Sequence, residues 1–259
     1  MKKSILLIFT ILLFFSCKNE QKKEVEVGDD ITELEIKKAS FPEALGKVFE
    51  KHGGIDNWRK AQVLTFNLKD ESHTIDLHTR KTIISAPNYS LGYDGEEVWL
   101  QQKDSTSFKG NKDFYYNLYF YFYAMPFVLA DDGIIYKKIA DLTFEGRKYP
   151  GFKISYKKNV GTSPDDNYFI YYNPETYQME WLGYTVTFFS KKPTKDIHLI
   201  KYNEWEDVNG LILPKQITWY KKDEKGQPIE PAKEPTNFTS PLLLQTKMGN
   251  SFFVKPIEE

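Results

Sequence analysis

The chain is nearly without cysteine: among 259 residues there is one, Cys17, so no disulfide can form within it. Histidine is scarce, at four residues, and the 35 basic side chains are balanced by 36 acidic ones. No basic stripe interleaved with aromatics is present, which argues against a nucleic-acid partner. No glycine-rich loop leads from a strand into a helix, as a nucleotide site requires. The nucleophile elbow of serine hydrolases is missing as well. The apolar run from Ile5 to Phe15 falls short of the roughly 20 residues a membrane-crossing helix needs.

That short run nevertheless has an order of its own. Met1-Lys2-Lys3 places positive charge ahead of it, as in a secretory signal. It ends Leu13-Phe14-Phe15-Ser16-Cys17, which resembles the lipobox cut by the lipoprotein signal peptidase. Residues 1–16 are therefore expected to be a lipoprotein signal peptide and Cys17 the lipidated residue, palmitate being one acyl group it would carry. Two or more chains make such an anchor effectively permanent. Lys18 to Lys38, dense in Lys and Glu, cannot bury enough apolar surface to order itself, so residues 17–38 read as a flexible tether. A single domain is expected over residues 39–255. Lys18 after the acceptor does not look like an inner-membrane retention signal. It favours a lipid-anchored place in the envelope, at the outer membrane and facing the periplasm.

What the chain has in abundance is aromatic surface, 17 Tyr and 19 Phe in a 16% aromatic fraction. Such an excess points to a sheet-rich fold or a large apolar concavity. Ser40-Phe41-Pro42-Glu43 combines a capping box with a proline allowed in a first helical turn. Leu45, Val48, Phe49 and His52 follow at helical spacing, and Gly53-Gly54 supplies the stop. A short amphipathic turn with Ile55 and Trp58 comes next. From Ala61 the pattern has period two. Phe152, Ile154 and Tyr156 alternate with polar residues, as do Tyr184, Val186 and Phe188 with Thr185 and Thr187. Asp94-Gly95, Asn173-Pro174, Asn209-Gly210 and Lys225-Gly226 mark turns between strands. Residues 111–130 break this pattern. Phe114, Leu118, Phe122 and Pro126 lie four apart, predicting a buried helix that Pro126 kinks or ends. A buried strand is the competing reading. Beyond Pro228, Pro and charge become frequent around one apolar stretch, Pro241-Leu242-Leu243-Leu244, and the last residues are expected to be loose.

No constellation declares a reaction or a metal. In His73-Thr74-Ile75-Asp76-Leu77-His78, strand geometry sends the two histidines to opposite faces. A solvated face carrying Thr74, Asp76, His78 and Arg80 is the simpler reading, since zinc sites need three or four ligands. Asp165-Asp166 and Asp131-Asp132-Gly133 read as turn chemistry. No cofactor, metal site or catalytic residue is expected, and the protein is read as not an enzyme. A minority reading as an envelope hydrolase would require Asp165, Asp166, or Asp76 with His78 to line a cleft. Trp99, Trp181, Trp205 and Trp219 lie on predicted strands. A pocket would be lined by Trp99, Trp181 and Tyr184 from the strands and by Phe114, Leu118 and Phe122 from the helix. A well-packed core would use the same inward faces.

The stretches Gly53-Gly54-Ile55-Asp56-Asn57-Trp58, Tyr93-Asp94-Gly95-Glu96-Glu97-Val98-Trp99, Asn173-Pro174-Glu175-Thr176 and Val208-Asn209-Gly210-Leu211-Ile212-Leu213-Pro214 span most of the mature chain. In their order the sequence resembles the lipoprotein-localisation proteins of the LolA/LolB type, and more closely an uncharacterised group of Bacteroidota lipoproteins. The resemblance implies a mainly β (α+β) fold, an unclosed antiparallel half-barrel wrapping one or two helices. It also implies a lipid or acyl-chain ligand in the concavity. The alternative is a non-enzymatic structural or interaction lipoprotein with a filled core and an envelope protein partner. Asp104-Ser105-Thr106 resembles an O-glycosylation motif of exported Bacteroidota proteins.

Overall fold

The computed structural model describes residues 41–131, 133–156 and 166–257, all within one unit of the chain, Ala39–Glu259. The expected signal peptide, Cys17, the tether, Asp132 and Asp165 lie outside the described residues. Helix α1 (Glu43–Lys51) buries Leu45, Val48 and Phe49 as their spacing predicts. It starts later than the capping box suggested: Pro42 itself holds the cap position, with ψ at 136°, and no side chain caps the helix. A proline disfavours helical geometry in the residue before it, so Phe41 cannot open the helix. His52 closes α1 and is fully enclosed. Its Nδ1–H donates to the Ile212 carbonyl at 3.0 Å, and its Nε2 accepts from the Met179 N–H at 3.2 Å and from the Gln178 amide at 2.8 Å. Burial presses its pKa down to about 4, so the ring is neutral, as this bonding requires. Gly53 follows with φ +103°, and a Cβ there would collide with the Gly210 carbonyl oxygen. Helix α2 (Ile55–Lys60) then buries Ile55 and Trp58.

Five strands form a meander: β1 (Val63–Leu68), β2 (Glu71–Asp76), β3 (Thr82–Ala86), β4 (Tyr89–Tyr93) and β5 (Val98–Gln102). Two short helices follow, α3 (Lys112–Tyr115) and α4 (Leu118–Tyr123), with a 3-10 turn at Phe127–Ala130. A second meander comprises β6 (Ile134–Phe144), β7 (Arg147–Tyr156), β8 (Tyr168–Tyr172), β9 (Met179–Tyr184), β10 (His198–Val208) and β11 (Leu211–Lys222). The chain ends with β12 (Pro228–Pro231), β13 (Thr236–Leu244) and a 3-10 turn, Asn250–Phe253. One antiparallel sheet results, in the order β5-β4-β3-β2-β1-β13-β11-β10-β9-β8-β7-β6, with β12 beside β11. Its two ends, β5 and β6, do not pair, so the sheet is unclosed among the described residues. The inner faces of both meanders meet α1, α2 and α4 in one hydrophobic core. The expected half-barrel around helices is therefore the observed architecture.

The four expected turns fall between strands as placed. Asn209 and Gly210, at φ 55° and 82°, form the two-residue connection between β10 and β11 that their type favours. Three expectations need correction. The segment 111–130 is not one helix but two short ones and a 3-10 turn, α4 ending three residues before Pro126. The strand expected over Tyr184–Phe188 stops at Tyr184, and beyond it the burial is inverted: Thr185 and Thr187 are buried while Val186 and Phe188 are partly open. Local bonds explain this, because the Thr185 hydroxyl accepts from the Asn167 N–H at 2.9 Å and the Asp166 carboxylate accepts from the Thr187 N–H at 2.7 Å. The region beyond Pro228 also carries more structure than its proline and charge suggest, as far as Phe253. β13 joins the two meanders by pairing with β1 on one side and β11 on the other, and Phe253 is buried. Phe238 and Leu243, five apart, both point inward because Ser240 and Pro241 together oppose Phe66 in a bulge. An extra residue resets the alternation, and a bulge tolerates the missing proline N–H.

Candidate functional site

The concave face of the sheet is apolar and is occupied by the chain's own segment 111–130, a plug of aromatic rings. Asn111 opens it by accepting from the Phe114 N–H at 3.1 Å, the short polar cap such a turn needs. Phe120, Phe122, Tyr123, Ala124, Met125 and Phe127 are buried. Tyr123 packs between Phe66 and Phe238, with ring centroids 4.4 and 4.7 Å away. Phe127 stacks on Trp58 at 4.8 Å, with the planes 6° apart. The way the plug is fastened is unusual. Among the described residues, its backbone–backbone hydrogen bonds run within the segment itself. Side chains make the ties to the sheet: the Tyr202 hydroxyl donates to the Phe122 carbonyl at 2.8 Å, the Tyr136 hydroxyl to the Leu129 carbonyl at 2.6 Å, and the Lys112 ammonium to the Val98 carbonyl. The Tyr123 hydroxyl is buried with no hydrogen-bond partner.

Of the six residues expected to line a pocket, the structure brings Phe122 and Tyr184 together at 5.1 Å between ring centroids. Trp219 completes this group, 5.7 Å from Phe122, its indole N–H donating to the Tyr184 hydroxyl at 2.9 Å. Leu118 packs at the margin of the same core. Phe114 sits apart against Phe188 and Phe189, at 5.3 and 4.9 Å. Trp99 and Trp181 do not face the plug. Trp99 pairs with Gly92, on the sheet face opposite His73, and donates to the Phe253 carbonyl at 2.9 Å. Trp181 anchors a separate cluster with Phe144 and Tyr220, at 5.0 and 4.9 Å. The parity of a strand contained this result: Trp181 and Tyr184 are three apart and must take opposite faces. Trp205 lies beside His52 instead, at 4.3 Å.

A polar cluster under the plug was not expected. Glu71 and His73, two apart on β2, share the inner face. The His73 Nε2–H donates to the Glu71 carboxylate at 2.8 Å, and Tyr89 and Tyr115 donate their hydroxyls to the same group, Tyr115 at 2.8 and 2.9 Å. Burial pushes the Glu71 carboxyl up, but the His73, Tyr89 and Tyr115 donors outweigh it and hold the group below the usual carboxylate range. Both phenols are pushed well above their ordinary value, by burial first and then by Glu71. An ionised carboxylate with three donors is a satisfied fastening. It ties α3, through Tyr115, to β2 and β4. The spacing of Glu71-Ser72-His73 was the available signal.

The Asp76 and His78 pair proves to be turn chemistry rather than a solvated strand face. Thr74 and Asp76 are buried, and His78 lies beyond the end of β2. The Asp76 carboxylate accepts from the His78 and Thr79 N–H groups at 2.9 and 2.7 Å, which outweighs burial and lowers its pKa. Arg80, at φ 62°, completes the turn and donates to Asp131 at 2.7 Å. Beside it lies a pocket of about 200 Å³ between the turn, α2 and the plug. A second, of about 340 Å³, lies on the surface beside β12. Among the described residues, no three His, Cys, Asp or Glu gather as metal ligands. Asp166 serves the Thr187 turn already described.

An unclosed antiparallel half-barrel with its concavity plugged by an aromatic insertion defines the class of protein. The chain belongs to the DUF6503 family, a family of unknown function, whose model matches residues 2–233. Its fold is similar to that of a LolA superfamily protein from Nitrosomonas europaea, at 8% identity and TM-score 0.41, covering 80% of this chain and 96% of that one. It is also similar to a DUF1329 family protein from Desulfovibrio piger, at 11% identity and TM-score 0.43, covering 80% and 95%. No curated protein matches the chain.

Proposed function

We propose that the protein is a lipid-anchored envelope lipoprotein that shelters an apolar ligand, an acyl chain or similar group, on the concave face, where residues 111–130 give way to it. The observation that carries this reading is the plug's attachment: it covers an apolar face yet shares no backbone hydrogen bond with the sheet among the described residues. Displacing it therefore breaks ring contacts and a few side-chain bonds, not a ladder. The magnitudes are compatible. A methylene gains about 0.8 kcal/mol on burial and a large apolar side chain about 1.5–3, so a dozen methylenes offset the exposure of roughly four plug residues. The buried Tyr123 hydroxyl lowers the advantage of the seated plug further, by about 1–3 kcal/mol for an unsatisfied group.

A filled core presenting its surfaces to an envelope partner is the second reading, and the complete enclosure of Tyr123, Ala124, Met125 and Leu129 favours it. Mass spectrometry of the Cys17→Ala protein, exported by its own host and purified without detergent, separates the two. Lipid released in stoichiometric amount on denaturation is the expected result. Nothing bound, together with no rise in melting temperature on adding fatty acids, leaves the filled-core reading. Incorporation of labelled palmitate into the native chain and not into Cys17→Ala tests the anchor.

A further inference from the structure

We infer that the pocket beside the β2–β3 turn holds the head of an anionic amphiphile, a carboxylate or phosphate oxyanion carried on an apolar chain. The inference rests on the proposed function and names the chemical class of its ligand. Arg80 supplies the first reason. One guanidinium nitrogen, Nη2, is engaged with Asp131 at 2.7 Å, while the other, Nη1, is buried with no hydrogen-bond partner. A guanidinium presents its donors in a rigid planar fork suited to two-oxygen acceptors, and this one lies 5.1 Å over the ring of the plug residue Phe120, so the arm that is buried while the plug is seated is a place for an oxyanion when the plug gives way.

The rest of the lining fits the same occupant. Arg59 brings a second cation, and Asp131 is the carboxylate of the lining, so positive charge prevails. His78 borders the pocket with its Nε2–H donating to the Ala61 carbonyl at 3.0 Å. Behind these groups the surface is apolar, formed by Ile55, Trp58, Leu77 and Phe127. A free inorganic anion gains nothing from such a floor, whereas an alkyl chain does. The volume, about 200 Å³, accommodates roughly six water-sized groups, enough for a head and its first carbons. Phe127 and Ala130 are residues of the plug, so a chain leaving the pocket runs into the segment that gives way.

The test is calorimetric titration of the exported Cys17→Ala protein with dodecanoate, dodecanol and inorganic phosphate, repeated on Arg80→Gln and Arg80→Lys. Dodecanoate is expected to bind at least about tenfold more tightly than dodecanol, the size of one good charge-assisted contact. Arg80→Gln should erase that preference, and Arg80→Lys, which keeps the charge and its Asp131 partner but not the fork, should retain part of it. Circular dichroism of both variants checks that the fold persists, and the Lys variant carries the test if the Gln variant unfolds. Equal binding of dodecanoate and dodecanol, unaffected at Arg80, overturns the inference and leaves the proposed function standing. Binding of phosphate alone shows a free-anion site and overturns both the amphiphile and the apolar-ligand readings. Binding of none of the three also overturns both.

Discussion

β13 and the plug are both apolar segments that complete the interior, and they are held by opposite means. β13 lies between β1 and β11 and exchanges backbone hydrogen bonds with each. The plug lies against the inner face and touches it through rings, phenol hydroxyls and one lysine. Burial is nearly equal: Phe238 and Tyr123 are within 5 Å of each other and neither meets solvent. Apolar burial has no direction, so it does not distinguish a part of the frame from an occupant of it. The backbone ladder does.

The sharpest way to break this comparison is Phe238→Ala. Loss of a buried phenylalanine costs about 3–5 kcal/mol, and sheet and plug should lose protection together in hydrogen exchange. A variant that frees the plug alone would place β13 with the occupant.

Acid should act next, on the frame. Unfolded, His52 takes up a proton near its ordinary pKa of 6.5; folded, it resists until about 4, because burial outweighs its bond to Ile212. The unfolded state therefore binds more protons across this window. Stability present above pH 6.5 should fall by on the order of 3 kcal/mol by pH 4. Denaturant midpoints at pH 7, 5.5 and 4 measure it, and a flat profile excludes the His52 staple. Glu71, whose pKa is lowered, acts in the same direction but further into acid: its contribution is lost as pH falls through the lowered value.

Glu71→Gln sharpens the contrast from the plug side. It removes the charge that three donors share and should cost about 1–3 kcal/mol. Amides of α3 should exchange faster while those of β13 do not change. Tyr123→Phe has the smallest expected effect and the opposite sign. Removing an unpartnered buried hydroxyl should stabilise the seated plug by about 1 kcal/mol and weaken any apolar ligand by a similar factor, read from melting temperature and titration together.

The frame was more legible in the sequence than its occupant's surroundings. Turns announce themselves locally, and Asn209, Gly210 and Gly95 sit where their positive φ angles are needed. The α1 face follows from spacing alone. β13 was hidden because Pro241 reads against a central strand, and the bulge that admits it depends on Phe66, far away in sequence. At Tyr184–Phe188 the alternation was real, but Asn167 and Asp166 bond the threonines and override it. The site was the least legible part. Trp99 and Trp181 lie on the sheet face away from the plug, and an aromatic residue on a strand does not by itself tell which face is concave. Glu71 and His73 carried a signal in their spacing, but the other two partners of Glu71 come from β4 and α3, and only the folded chain assembles them.

The position of β13 bears on how such a chain comes to be folded at all. Until its last strands have emerged, the two meanders end in unpaired edges at β1 and β11, the kind of edge that recruits foreign strands. Pairing Val63 with Leu244 joins residues far apart in the sequence, a slow event by loop-closure standards. A chain synthesised from its first residue onward thus keeps two open edges until β13 has emerged. Closure of the sheet's interior edges falls to one strand, and a copy cut short before β13 keeps both of them open.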